Sequence, residues 1–253
     1  QFKRPFTFEN PMHPIDQGFM GYSQNVTRLA GFNDRCGEQA SNGRDIGVQI
    51  QGDLLKNAKG RALVHYQLGV FNGQGINTKD EDQRKDIIGG AWGMPVSGLR
   101  IGAFFAHKYT ETLEDNSKVT RVASVDRIRY ALSAEYKAND WTVRSEYIHS
   151  TGGQFTGVGS SAIDDKAGSK ADGVYALAIA PVLKNKLYAK ARYDLYRPTA
   201  EWNKARTQYE VGVNYKFNKF IQLNTEYARV NDRSLAKGKH NYNMADVELD
   251  FRF

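Results

Sequence analysis

The side chains best suited to chemistry are basic and recur at two-residue spacing. Arg127 and Arg129 form one pair and Lys190 and Arg192 another, while Lys3, Arg61, Arg100, Arg144 and Arg206 hold equivalent alternate positions elsewhere. Two residues is the side-chain repeat of a β-strand, so each pair lies on one face. The chemistry open to such a set is electrostatic. Lys and Arg facing a water-filled passage favour anions, and a low-dielectric wall strengthens their field. His65, Lys85, Lys108, Lys137, Lys216 and Arg252 share the pattern, and so do the acids Asp45, Glu135, Glu146, Asp194, Glu210, Asp246, Glu248 and Asp250. Those acids leave a second reading open at each position, an ion pair within the wall. Arg144 with Glu146, and Arg192 with Asp194, fit it best.

Other chemistry finds little support. Gly157-Val158-Gly159-Ser160-Ser161 is glycine-rich, but no helix follows to complete a phosphate cradle. His13, His65, His107, His149 and His240 show no metal-ligand spacing. No serine sits in a nucleophile elbow. Cys36 stands alone, which excludes an internal disulfide or a cysteine metal cluster. The expectation is a protein that is not an enzyme and has no cofactor. A net charge of +7 invites a nucleic-acid reading, but the basic residues are dispersed along the chain and form no patch, so no nucleic-acid partner is expected.

The elements that position these residues are strands. From Ala245 to Phe253, Ala, Val, Leu, Phe and Phe alternate with Asp, Glu, Asp and Arg. Either a soluble sandwich or a membrane barrel gives such alternation, with opposite faces buried. Alternation and turn punctuation predict about twelve strands, beginning with Phe2–Phe8 and ending with the closing segment. Short turns follow every second strand, at Lys56–Gly60, Pro95–Gly98, Ala138–Asp140, Leu183–Asn185 and Asn218–Lys219, and longer polar loops follow the others. That asymmetry, strand lengths of about 9–11 residues and a terminal aromatic residue favour an all-β, antiparallel transmembrane β-barrel in the bacterial outer membrane. Trp92, Tyr109, Tyr136, Trp141, Tyr215, Phe217 and Phe253 are expected to form its interfacial girdles. No apolar run approaches the length of a membrane helix. Residues 1–253 are read as one barrel domain. The connection from Glu9 to Gly43 is too long for an ordinary loop, and is the candidate constriction, with Arg28, Arg35 and the adjoining Arg44.

Tyr66-Gln67-Leu68-Gly69-Val70-Phe71-Asn72-Gly73 resembles the Gly-Val-Phe-Asn-Gly signature of phosphate-selective porins O and P. Gln1-Phe2-Lys3-Arg4-Pro5-Phe6 is similar to that family's Lys-x-Pro-Phe strand, and Lys85-Asp86, Gly89-Gly90, Pro95 and Gly98-Leu99-Arg100-Ile101-Gly102 follow in the family order. The Asn-, Lys- and Tyr-rich tone is closest to Bacteroidetes members. The resemblance implies a 16-stranded barrel, usually a homotrimer, with about four strands ahead of this segment. A barrel complete in twelve strands is the alternative. It further implies passive uptake of small anions, in some members phosphate, with outer-membrane lipid and lipopolysaccharide as surroundings. Arg28 and Arg35 do not form the dense arginine ladder of the phosphate-specific members, so general anion preference is the expectation. The competing expectation is a barrel that conducts nothing and anchors or partners an outer-membrane protein complex.

Overall fold

A computed structural model describes residues 1–30, 43–73, 75–77, 84–114, 120–152, 154–155, 163–164 and 170–251. Eleven strands form one antiparallel sheet: β1 (Gly47–Lys56), β2 (Ala62–Phe71), β3 (Asp86–Gly93), β4 (Leu99–Glu114), β5 (Thr120–Ala138), β6 (Trp141–Gly152), β7 (Lys170–Leu183), β8 (Leu187–Arg197), β9 (Arg206–Lys216), β10 (Ile221–Asp232) and β11 (Asn241–Phe251). Each pairs with its neighbours in the chain, as in an up-and-down barrel wall. The tight turns have physical causes. Ala138 pairs with Trp141 across Asn139 and Asp140, both at positive φ (52° and 65°), the combination that lets a two-residue hairpin follow strand twist. Gly98 closes the β3–β4 turn at φ 82°. Strands β1 and β11, the two edges of the sheet, run toward the same short-turn end.

The burial pattern is inside out for a soluble protein. Val48, Leu132, Val211 and Val247 are exposed on one face, while Arg129, Glu146, Lys190 and Asp194 are buried on the other. An apolar outer band over a polar interior is what lipid demands. No described helix is long and apolar enough to cross a membrane, so strands are the crossing elements.

Two expectations are corrected. The strand expected over Phe2–Phe8 ends at Lys3, where a two-residue ladder joins Phe2–Lys3 to Arg44–Asp45, outside the main sheet. Pro5 has no N–H for a ladder, Phe6 N turns back to Arg4 O (2.9 Å), and Thr7 sits at φ 67°. The loop expected from Thr110 to Ser124 is instead a hairpin extension, with pairing running from Lys108–Arg127 out to Glu114–Thr120.

The core lies on the inner face. Residues 4–30 fold back across it, and Phe6, Phe8, Val26 and Leu29 pack against wall residues including Phe71, Ile88, Phe104 and Ile148. Part of that segment, which lies in the connection read as too long for an ordinary loop, is a helix, α1 (Gln24–Leu29). Ser23 caps it by accepting from Val26 N, and the i, i+3 pair Val26 and Leu29 faces the core.

Candidate lumen surface and the inner segment that covers it

The inner segment is anchored by aromatic and charged contacts. The Phe8 ring meets Trp92 (5.5 Å) and Phe104 (5.4 Å) edge to face, and the Arg100 guanidinium lies 4.0 Å over it. Each contact is of a kind worth roughly 0.5–1.5 kcal/mol. Around this contact the wall grips the segment's main chain by charge. Glu146 Oε1 accepts from Phe8 N (2.6 Å) and Glu9 N (3.1 Å), Glu226 Oε1 from Met20 N (2.9 Å), and Asp194 Oδ2 from Gln24 N (2.8 Å). Cations take the carbonyls: Arg144 Nη2 donates to Gln17 O (2.8 Å), Lys190 Nζ to Gly18 O (3.1 Å) and Arg192 Nη1 to Gly21 O (2.8 Å). Hydrogen bonds to ionised groups are the strong ones in a low-dielectric setting.

These cations also neutralise each other's strands. Arg144 pairs with Glu135 (3.2 Å) and approaches Glu9 (3.7 Å), Lys190 pairs with Glu226 (2.5 Å), and Arg192 pairs with Glu210. The within-strand pairs Arg144–Glu146 and Arg192–Asp194 expected from sequence are therefore replaced by cross-strand ones. The reason is distance. Residues two apart on a strand are separated by about 6.8 Å, while direct cross-strand partners lie about 5 Å apart. Glu135 faces Arg144 and Glu210 faces Arg192 in the register.

The remaining expected residues take several roles. Arg127 and Arg129 are buried on the inner face, with Arg129 Nε bonded to Ser150 Oγ (3.3 Å). Arg100 pairs with Glu135 (3.0 Å) and Arg206 with Asp232 (3.5 Å). Arg61 pins the β3–β4 turn through Met94 O (2.5 Å) and Pro95 O (3.1 Å). His65 bonds Asp53 (2.7 Å) and stacks on Trp92 (4.2 Å), which puts Trp92 on the inner face rather than in a girdle. Tyr136, Trp141 and Phe217 are exposed near the short turns. Arg28 lies exposed on α1. Arg35, Arg252 and Phe253, and the side chains of Lys108 and Tyr109, fall outside the described residues.

Part of the inner surface is not covered by the described residues. Between the segment and strands β1 and β2 lies a recess of about 430 Å³ lined by Phe2, Lys3, Pro5, Pro11, His13, Arg44, Gln49, Gln51 and Gln67. No carboxylate lines it. Arg44 is half-buried and makes no hydrogen bond or ion pair with a described residue. Lys3 Nζ donates to Met12 O and to the Tyr22 hydroxyl (2.7 Å). Burial and then the Arg44 charge push the Lys3 amine down to about 8, against the opposing pull of Glu9. Burial and Glu9 push the Tyr22 phenol up to about 12, opposed by Arg44. Two cations that penalise each other, with amides beside them, make a surface receptive to negative charge. A second recess of about 330 Å³ lies under Pro14–Met20 at the short-turn end and mixes Lys137 and Lys216 with Asp16, Glu248 and Asp250. Among the described residues no three His, Cys, Asp or Glu side chains are grouped to hold a metal.

No protein-family model and no curated protein matches the chain in sequence. Solved structures do match in fold. OmpT lacking loop L8, an outer membrane protein of Vibrio cholerae, has a TM-score of 0.59 at 13% identity over 99% of this chain and 74% of its own. In-vitro folded OmpT of Vibrio cholerae gives 0.54 at 14% identity over 99% and 74%, and its trimer form 0.54 at 15% identity over 99% and 75%. The shared fold is an outer-membrane β-barrel, and it assigns the chain to the bacterial outer membrane.

Proposed function

We propose that this chain forms the wall and constriction of an outer-membrane porin that passes small anions by diffusion. The observation that carries this reading is the uncovered recess, where Lys3, His13 and Arg44 face three glutamines and no carboxylate. The cations expected to line the passage, Arg144, Lys190 and Arg192, are tied up holding the inner segment. The path therefore follows the β1–β2 side, and anion preference rests on few residues. The likeness of Gly69–Gly73 to the porin O and P signature supports an anionic solute, phosphate included. A homotrimer is part of the proposal, and OmpT of Vibrio cholerae is described in a trimer form.

The decisive experiment is the zero-current potential of the purified full-length protein in a planar bilayer under a salt gradient. Anions should be the more permeant, and Lys3→Glu with Arg44→Glu should reverse or abolish the preference. Cation preference in the unaltered protein would refute the anion assignment. A second reading is favoured by the buried contact of Phe6 and Phe8 with the wall: the lumen is plugged and the barrel serves a partner protein. Folded protein without conductance would favour that reading.

A further inference from the structure

We infer that the outer face carries a binding site for the phosphorylated glycolipid of the outer leaflet, centred on Lys170 and Arg197. The face is apolar near the short turns, where Tyr136, Trp141, Val143, Leu249 and Phe251 are exposed, and carries polar side chains toward the long loops, among them Arg229 bonded to Asn243 (2.9 Å). At the long-loop margin it changes character. Asp172, Tyr147 and Arg197 share the parity of the outward-facing Val174, Val143 and Tyr193, yet they form a polar cluster. Arg197 Nε donates to Asp172 Oδ1 (2.7 Å), its Nη2 to Asp172 Oδ2, and the Tyr147 hydroxyl to Asp172 Oδ2 (3.4 Å). This uses one edge of the guanidinium and leaves Nη1 without a described partner.

Lys170 lies two residues along β7 from Asp172, which faces Arg197 in the register. Strand spacing puts the Lys170 and Arg197 Cα atoms roughly 8 Å apart, close enough for both side chains to reach one phosphate. Lys170 is exposed and makes no hydrogen bond or ion pair with a described residue. Trp202, 53% exposed, stacks under Arg197 (5.0 Å) and offers a flat surface to a sugar ring. Long loops mark the outer side of such barrels. The cluster thus sits at the headgroup level of the leaflet whose lipid is both phosphorylated and sugar-based.

The test uses full-length protein folded in neutral detergent, with thermal unfolding followed as lipid is added. Bisphosphorylated lipid A should raise the Tm saturably. Lys170→Glu, at an exposed position with no described partner, should weaken the apparent affinity about tenfold and Trp202→Ala about threefold. Equal stabilisation by dephosphorylated lipid A, by phosphatidylglycerol or by inorganic phosphate would overturn the assignment. So would an unchanged response in Lys170→Glu.

Discussion

The inner surface handles positive charge in two ways. Under the segment formed by residues 4–30, Arg144, Lys190 and Arg192 are buried, matched by carboxylates and bonded to main-chain carbonyls. Beside β1 and β2, Lys3 and Arg44 share a recess with glutamines and no acid. Both regions come from the same alternating pattern of basic residues. In the second, the Arg44 side chain makes no hydrogen bond or ion pair with a described residue. A count of lumen-facing cations therefore measures mostly how the wall holds its insert, and under the proposed function selectivity rests on the recess that no carboxylate lines.

The contrast is broken most severely at Arg144. Replacing it by Met leaves Glu146 and Glu9 buried without that cation and Glu135 with Arg100 alone, a loss on the order of 3–5 kcal/mol. Urea unfolding should shift accordingly, and single-channel conductance should rise as the segment loosens. An unchanged urea midpoint would show that the covered cations do not hold the insert. Phe8→Ala removes the ring between Trp92, Phe104 and Arg100 and should cost about 3 kcal/mol, with faster protease cleavage within residues 4–30. Resistance equal to the unaltered protein would count against the aromatic anchor.

The uncovered region should respond in selectivity and hardly in stability. Arg44→Met alone should lower the anion-to-cation permeability ratio about twofold to threefold with little change in the urea midpoint, whereas Arg129→Met should act on stability and leave the ratio nearly as it was. Equal effects on the ratio would erase the distinction between the two regions.

The smallest effect is on pH. The Lys3 amine titrates near 8 in the folded protein against an ordinary 10.5. Its folded pKa is depressed, so its contribution to stability is present above pH 10.5 and lost as pH falls through 8. Its charge behaves oppositely, so anion preference should decline between pH 7 and 9. Lys3→Met should flatten that decline, and a persistent decline in the variant would assign the titration elsewhere. Tyr22, raised to about 12, contributes stability that is present below pH 10 and lost as pH rises through 12.

Much of this was legible in the sequence. A period of two places Arg127, Arg129, Lys190 and Arg192 on one face wherever the strand runs, and the Asn139-Asp140 turn is a local signal. The Glu135–Arg144 pair was legible too: counting three residues back from Ala138 and three on from Trp141 brings those positions together. Arg192–Glu210 was not, because the connection between β8 and β9 has no short turn to set the register. The inner segment was misread because Phe2, Phe6 and Phe8 alternate like a strand. Pro5 was the contrary signal, and the Ser23 cap before Val26 and Leu29 marked a helix too short to show periodicity. Phe71, Ile88, Phe104 and Ile148 fall on the polar face by parity. What covers them depends on a fold-back that no local pattern encodes.

The anchors of the inner segment also set an order of assembly. Phe8 N reaches its carboxylate across 138 residues and Met20 N across 206. Residues 4–30 precede the wall strands in the chain, and their binding partners lie on β6, β8 and β10. Closing loops of that span is slow compared with forming a hairpin. The segment must wait as an unsatisfied strand of polar main chain until the late hairpins exist, and its docking is the event that reports a finished wall.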